Sequence, residues 1–164
     1  GQKFSLEGMV KRIHAKELFL ERINQLAEIA NKKDIKILIE NNVLSQNNRS
    51  QNPFLMVDHE ECLEIIHNTA DNVGMLVDLA HLKVSSLSLG FCKYEFLETT
   101  KEYTFAYHLS DNDGLTDSNQ PVREDSWFWN YLRKDLDYYS LEVYCVSNEI
   151  LREQVDITEE ALWN

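Results

Sequence analysis

The chain has 164 residues, of which 43% are hydrophobic and 27% charged, a composition typical of one globular domain with a substantial core. Its 28 acidic and 16 basic residues give a net charge of −12, which opposes binding to a nucleic-acid backbone. It contains no apolar run of about 18 residues that would predict a membrane span. The three cysteines match neither a zinc motif nor a disulfide framework, so we expect free thiols and a cytoplasmic location.

The first half of the chain predicts a helix followed by a strand, a helix and a second strand. Apolar residues at helical spacing predict a helix that begins after Ser5 and ends near Lys33. The elements expected next are a strand at 35–39 that ends at Glu40, a polar loop at 41–52, a helix capped by Asp58 with Glu61 as its capping-box partner, and a strand at 73–77 that ends at Asp78.

The second half continues the alternation of helices and strands. The elements expected there are a helix at 94–101, a strand at 103–107 that ends at His108, a polar loop at 109–125, a helix at 127–136 capped by Ser126, a strand at 138–145 that contains Glu142, and a helix from Asn148 onward. In the third strand, alternation places Thr104 and Ala106 on the face of His108, with Phe105 and Tyr107 facing the helices. Strands that are apolar on both faces indicate a parallel sheet covered by helices.

Four potential metal ligands stand where the four strands end: Glu40, Asp78, His108 and Glu142. They are separated by about 30 or more residues, the length of one strand-plus-helix unit. The carboxyl ends of parallel strands form one face, on which catalytic residues collect. Three carboxylates and an imidazole on that face predict a site for a divalent cation. Taken singly, a strand-end Asp or Glu is more often a helix cap or a surface group, and a strand-end His is more often a satisfied polar residue.

Local strings around these residues resemble a known family. They are Ile39-Glu40-Asn41-Asn42, Val77-Asp78-Leu79-Ala80-His81-Leu82-Lys83, His108-Leu109-Ser110-Asp111-Asn112-Asp113-Gly114 and Leu141-Glu142-Val143. Together they resemble the C-terminal half of the sugar phosphate isomerase/epimerase proteins with a xylose-isomerase-like TIM barrel. The resemblance implies an α/β fold in which residues 1–164 form a single domain, a partial barrel of strands five to eight preceded by a helix.

The resemblance also implies roles for individual residues. Glu40, Asp78, His108 and Glu142 would hold a divalent metal ion, which could be Mn, Mg, Co or Zn. His81, three positions after Asp78, would contact the substrate. By similarity to the ketose epimerase branch, Glu40 and Glu142 would also act as the catalytic acid/base pair.

The chain departs from the family pattern in three respects. The apurinic endonuclease branch has an Asp-x-His pair where this chain has Asp117-Ser118-Asn119, which lowers the expectation of DNA repair. Epimerases often have an arginine where Gly114 stands, so substrate contacts must differ. A TIM barrel has eight strands and about 250 residues, and this chain supplies four strands.

We therefore expect a metal-dependent sugar or sugar-phosphate isomerase/epimerase, in the form of a fragment or half-barrel of one. If its substrate pocket is incomplete, this chain alone would be inactive. The alternative is a non-catalytic half-barrel that acts as a structural or binding subunit. Open strand edges predict association with a second copy or with a complementary N-terminal half-barrel. Neither a nucleic acid nor a membrane is an expected partner.

Overall fold

The computed structural model describes residues 10–50 and 53–163. Its regular elements alternate between helices and strands, with short 3-10 helices at Lys101–Tyr103 and Trp129–Tyr131. In chain order they are α1 (Arg12–Asn31), β1 (Ile37–Glu40), α2 (His59–His67), β2 (Val73–Asp78), α3 (Leu79–Leu89), α4 (Lys93–Thr100), β3 (Thr104–Leu109), β4 (Tyr138–Leu141) and α5 (Asn148–Trp163).

The four strands form one parallel sheet in the order β1-β2-β3-β4. Each strand joins the next through helical or loop segments that return the chain to the amino end of the sheet, as parallel pairing requires. The carboxyl ends of the strands lie on the same side of the sheet. Asp78 pairs with His108, while Glu40 pairs with Leu76 and His108 with Ser140, so the outer strands are each offset by two residues. This arrangement confirms the expected α/β fold of a half-barrel.

A register shift between β2 and β3 changes which side chains face inward. Met75 pairs with Thr104 but Leu76 pairs with Ala106, so Phe105 is an extra residue in β3. Thr104 consequently lies opposite Met75, which is fully buried, and away from the face of His108. The predicted alternation is therefore wrong at Thr104 and Phe105, while Tyr107 is 1% exposed among the core residues, as expected.

The displaced Phe105 ring fills the inner face of the sheet beside β1. The Lys36 ammonium lies 3.3 Å from the centre of this ring, a cation–π contact that covers part of the half-buried face. A Cβ atom on Gly74 would lie 2.5 Å from Phe105 Cδ2. The missing side chain at Gly74 thus makes room for the bulged residue.

The hydrophobic core lies on the outer face of the sheet, under the helices. Burial of this apolar surface is the main source of stability in such a layered fold. The fully or nearly fully buried members are contributed by strands and helices alike, including Met75, Val77, Leu109, Ile65, Phe96, Leu97 and Leu162. The inner face is less covered, since Leu38, Leu76 and Phe105 are only half-buried and Tyr138 is 70% exposed.

The predicted cap of α2 and the predicted start of α5 are confirmed, whereas the predicted contact of the Glu61 side chain is wrong. Asp58 caps α2 through a 2.9 Å hydrogen bond from the Glu61 amide, and α5 begins at Asn148 as expected. The Glu61 carboxylate, however, accepts from the Met56 amide at 2.9 Å and from the Arg12 guanidinium at 2.7 Å. It therefore fixes the segment before the cap and anchors the start of α1.

The predicted start of the first helix at Ser5 lies outside the described residues, and the described helix begins at Arg12. Of the face predicted to be buried, Ile23 is buried, whereas Leu26 is 54% exposed. Residues 138–141 form a strand, but its predicted continuation through 143–145 is wrong. None of the helices in the described parts of the chain is long and apolar enough to cross a bilayer.

The segment 127–136 is not an α-helix, contrary to prediction. Ser126 accepts a hydrogen bond from the Arg123 amide and donates one to Asp111, so it closes a turn on its amino-terminal side. The indole of Trp129 donates to the Arg123 carbonyl at 2.7 Å. These tertiary contacts leave only one 3-10 turn where a helix was expected.

Helix α3 was not predicted and lies next to the site. It starts directly at Asp78, its N-cap, and ends at Gly90, whose φ of 82° is the left-handed conformation typical of a helix C-terminus. Ser85 accepts from the Leu44 amide at 2.9 Å, and Ser88 donates to the Leu44 carbonyl. The two buried serines thus hold the loop after β1 against α3.

Candidate metal centre

The four side chains predicted from the strand ends converge. Glu40, Asp78, His108 and Glu142 each offer one potential ligand atom, and these atoms lie within 4.8 Å of one another. Three of the residues stand at or next to the last position of β1, β2 and β3, and Glu142 follows β4 directly. The parallel topology therefore brings them together from across the sheet.

Asp78 is the most firmly fixed member of the cluster. Its side chain is fully buried, and its Oδ1 accepts a 2.7 Å hydrogen bond from the His81 amide as the cap of α3. Asn41 holds its backbone on both sides, because Oδ1 of Asn41 accepts from the Asp78 amide at 2.7 Å and Nδ2 donates to the Asp78 carbonyl at 3.1 Å. Only Oδ2 of Asp78 remains available to the cluster.

His108 presents a single atom to all three carboxylates. Its Nδ1 lies 2.8 Å from Glu142 Oε2, 3.3 Å from Glu40 Oε1 and 3.6 Å from Asp78 Oδ2. Nδ1, Glu142 Oε2 and Asp78 Oδ2 are nevertheless buried without hydrogen-bonding geometry to any described partner. Buried polar atoms are normally satisfied, so three orphaned atoms that face one point fit the donor set of a cation.

Glu142 is held by its second oxygen. Its Oε1 accepts a 2.5 Å hydrogen bond from the Tyr144 hydroxyl, while the Glu142 amide donates to the Leu109 carbonyl at 3.1 Å. The hydrogen bond to Glu142 raises the pKa of Tyr144 to about 12. The phenol is therefore the proton donor in this contact at neutral pH.

His81 lies beside the cluster and links it to the long loop after β3. Its Nδ1 is 2.9 Å from the Asn41 carbonyl oxygen and 3.6 Å from Glu40 Oε1, and its Nε2 is 3.2 Å from Asp117 Oδ2. Both ring nitrogens thus face acceptors, which favours the doubly protonated ring. His81 thus lies next to the four-residue cluster; the substrate contact that the resemblance implies for it stays a prediction.

The charges of the cluster shift one another's pKa values. Burial opposes charge on Asp78, but the contact with His108 and the charge of His81 prevail and lower its pKa. The contact with Asp78 raises the pKa of His108. Burial would lower the pKa of His81, but Asp117 and Asp78 outweigh it and raise the pKa to about 9. In the absence of a metal, imidazolium charge therefore offsets part of the carboxylate repulsion.

Three residues beside the cluster were not among the predicted site residues: Asn41, Asp117 and Tyr144. For Asp117 the resemblance offered a signal, since it stands where the apurinic endonuclease branch has the Asp of an Asp-x-His pair. Asn41 follows a predicted ligand directly, which is a weak signal for a residue that supports the site. Asp117 and Tyr144 lie in irregular segments, and only the tertiary structure brings their side chains to His81 and Glu142. Their polar character alone is typical of any loop.

The fold and the cluster together define a class: parallel α/β proteins that carry a carboxylate–histidine group at the carboxyl ends of barrel strands. The model of one protein family, described as the xylose isomerase-like TIM barrel, matches residues 4–162. The chain therefore belongs to the xylose isomerase-like TIM barrel family. Neither the curated proteins nor the solved structures contain a significant match to it.

Proposed function

We propose that Glu40, Asp78, His108 and Glu142 hold one divalent cation and serve a sugar or sugar-phosphate isomerase or epimerase. The observation that carries this proposal is the set of three buried ligand atoms, none with a hydrogen bond, that face one another at the carboxyl end of the sheet. Membership of the family supports the reaction class. Structural ion-pair clusters usually satisfy their hydrogen bonds, whereas the inward atoms of this cluster make ion-pair contacts without hydrogen bonds.

The donor set narrows the choice of metal. Carboxylate oxygens favour hard divalent cations, and one imidazole nitrogen extends the range to borderline ones. We propose Mn²⁺, Mg²⁺, Co²⁺ or Zn²⁺. When bound, such an ion would supply Lewis acidity that polarises a sugar carbonyl and the neighbouring hydroxyl.

The side chains of the cluster divide into buried and accessible groups, which sets what each can do. Asp78 is fully buried and serves as a ligand, whereas the Glu40 side chain is 41% exposed. We propose that Glu40 removes the proton alpha to the carbonyl and that Glu142 is its acid/base counterpart. A carboxylate at the site can take this role if it reaches the acidic C–H of a bound sugar.

His81 is the proposed substrate contact. Its side chain is 18% exposed, and Asp117 together with the Asn41 carbonyl fixes the ring. Its Nε2, now 3.2 Å from Asp117, can donate to a sugar oxygen that replaces Asp117 as the acceptor, and the imidazolium then stabilises negative charge as it develops on that oxygen.

The open edges of the sheet support a partner for this half-barrel. Among the described residues, β1 and β4 each pair with one strand only. The inner face carries the half-buried Leu38, Leu76 and Phe105. Unpaired edges and an open apolar face favour association. We propose that residues 1–164 form one domain whose barrel is completed by a second copy or by a complementary half.

The same open face favours a second candidate function, a non-catalytic half-barrel that serves as a structural or binding subunit. Turnover separates the two candidates. A panel of ketoses and ketose phosphates is incubated in D₂O with Mn²⁺, and deuterium at the carbon alpha to the carbonyl is measured by NMR. Isomerase or epimerase function predicts exchange that is lost in Glu40→Gln. Exchange with no sugar, with or without added partner chain, would contradict the catalytic assignment and favour the binding subunit.

A further inference from the structure

We propose that Tyr144 is a positioning residue that turns one oxygen of Glu142 toward the metal centre. This inference rests on the proposed function, because it concerns how that centre is built. It adds a residue outside the four ligands, in the irregular segment after β4. Its role is to orient a ligand, and it does not itself touch the cation.

The two carboxylate oxygens of Glu142 have different surroundings. Oε1 accepts the 2.5 Å hydrogen bond from the Tyr144 hydroxyl. Oε2 lies 2.8 Å from His108 Nδ1 and is buried without a hydrogen bond. The hydroxyl therefore occupies one oxygen and leaves the other as the single atom that faces the cluster.

Glu142 needs this support more than the other ligands do. It stands beyond the end of β4, an edge strand that ends at Leu141. A glutamate side chain has several freely rotating bonds, so ordering it carries one of the larger side-chain costs in conformational entropy. Within the described residues, Tyr144 supplies the hydrogen bond that restricts this side chain.

Tyr144 is itself anchored to the long loop that follows β3. Its amide donates to the Asn119 carbonyl at 3.2 Å, and Asn119 is 3% exposed. The same loop carries Asp117, which contacts His81. The loop after β3 thus contacts both Tyr144, which supports a proposed ligand, and His81, the proposed substrate contact.

Hydrogen bonds from outside the ligand set orient ligating carboxylates, and their loss typically weakens metal binding about 10- to 100-fold. Tyr144→Phe removes only the hydroxyl. Because the residue is 59% exposed, the change leaves the core intact. Tyr138→Phe is the matched control, since Tyr138 lies on β4 and is 70% exposed. Without added metal, both variants are expected to have the same melting temperature as the wild type.

The experiment titrates Mn²⁺ into the wild-type chain and both variants by calorimetry and records the visible spectrum of each with Co²⁺. We expect Tyr144→Phe to bind Mn²⁺ about 10- to 100-fold more weakly and to show an altered Co²⁺ spectrum, because the ligation by Glu142 changes. Tyr138→Phe should match the wild type in both. Equal affinity and spectra in Tyr144→Phe would overturn the role of Tyr144 alone. No binding by the wild type would overturn the metal centre itself and this inference with it.

Discussion

The two ends of the ligand set are built differently. Asp78 is fully buried, caps α3 with one oxygen and has its backbone held on both sides by Asn41. Glu142 is 26% exposed at the open edge of the sheet and depends on one exposed tyrosine. One side of the centre is thus fixed by the fold, and the other is set by a surface contact.

This difference indicates how the centre can combine affinity with reactivity. A buried ligand that keeps its geometry without the metal reduces the ordering required on binding. An accessible carboxylate at the edge can exchange a proton with a substrate and remain close to the cation. In the proposed centre, Asp78 accordingly has a purely structural ligand role, and Glu142 is the ligand that also takes part in proton transfer.

The largest effect is expected from Asp78→Asn. The amide keeps the volume and the cap of α3 but removes the buried charge, so we expect no measurable cation binding in a folded chain. Calorimetry with Mn²⁺ measures the loss of binding, and circular dichroism checks that the chain remains folded. Asp58→Asn, the same change at the cap of α2, is the control and should bind as the wild type does. Tight binding by Asp78→Asn would show that Asp78 is not a ligand.

The anchor of the buried side is tested by Asn41→Ala. The change leaves the Asp78 amide and carbonyl without partners in a buried position, which should lower the free energy of unfolding by about 2–4 kcal/mol. Urea denaturation measures this loss. Asn42→Ala is the neighbouring control, because its side chain makes one exposed 3.3 Å contact with the Leu55 carbonyl, and it should cost below about 1 kcal/mol. Equal losses in the two variants would refute the special role of Asn41.

Glu142→Gln tests the exposed side of the centre, and its expected effect is smaller. It removes one ligand charge at nearly constant volume, so the fold should persist and the rise in melting temperature with Mn²⁺ should shrink without vanishing. Thermal denaturation over a range of Mn²⁺ concentrations measures this response. Glu149→Gln on α5 is the control. A full response in Glu142→Gln would remove Glu142 from the ligand set.

The smallest effect is expected from Asp117→Asn. Asp117 is an exposed residue that contacts His81 at 3.2 Å and is not one of the four clustered residues, so its loss should reduce stability by less than about 1 kcal/mol. The Mn²⁺ response of the melting temperature should remain that of the wild type. If Asp117→Asn abolishes the response, Asp117 is itself a ligand and the centre is larger than four residues.

The strands and their terminal charged residues could be predicted from sequence, because a buried parallel strand is a short apolar run and Glu40, Asp78 and His108 interrupt such runs abruptly. Parallel topology then implies that these side chains meet. Helix α3 escaped prediction because it begins at the strand-ending Asp78 itself, without an intervening loop. Serines are common in loops, but Ser85 and Ser88 are buried in this helix, where their hydroxyls form hydrogen bonds with the backbone of Leu44.

Other features depend on tertiary contacts that no local pattern encodes. The bulge at Phe105 arises from the fit between β2 and β3, with room provided by Gly74. Residues 127–136 have helical spacing, but the Trp129 indole and the Ser126 hydroxyl bond to other parts of the loop and hold it in a different conformation. Tyr144 and Glu142 are close in sequence, but their contact depends on the path of the backbone after β4. That path is held by the bond from the Tyr144 amide to the Asn119 carbonyl in the loop after β3.

The central claim is that the four strand-end residues form a metal centre, and the melting temperature of the wild-type chain tests it most directly. A ligand that binds only the folded state stabilises it by about 2.7 kcal/mol at 100 times its dissociation constant. We predict that at least one of Mn²⁺, Mg²⁺, Co²⁺ and Zn²⁺ raises the melting temperature with increasing concentration, in the wild type and equally in His14→Ala, whose side chain is 65% exposed on α1. A melting temperature that none of the four cations changes would contradict the account.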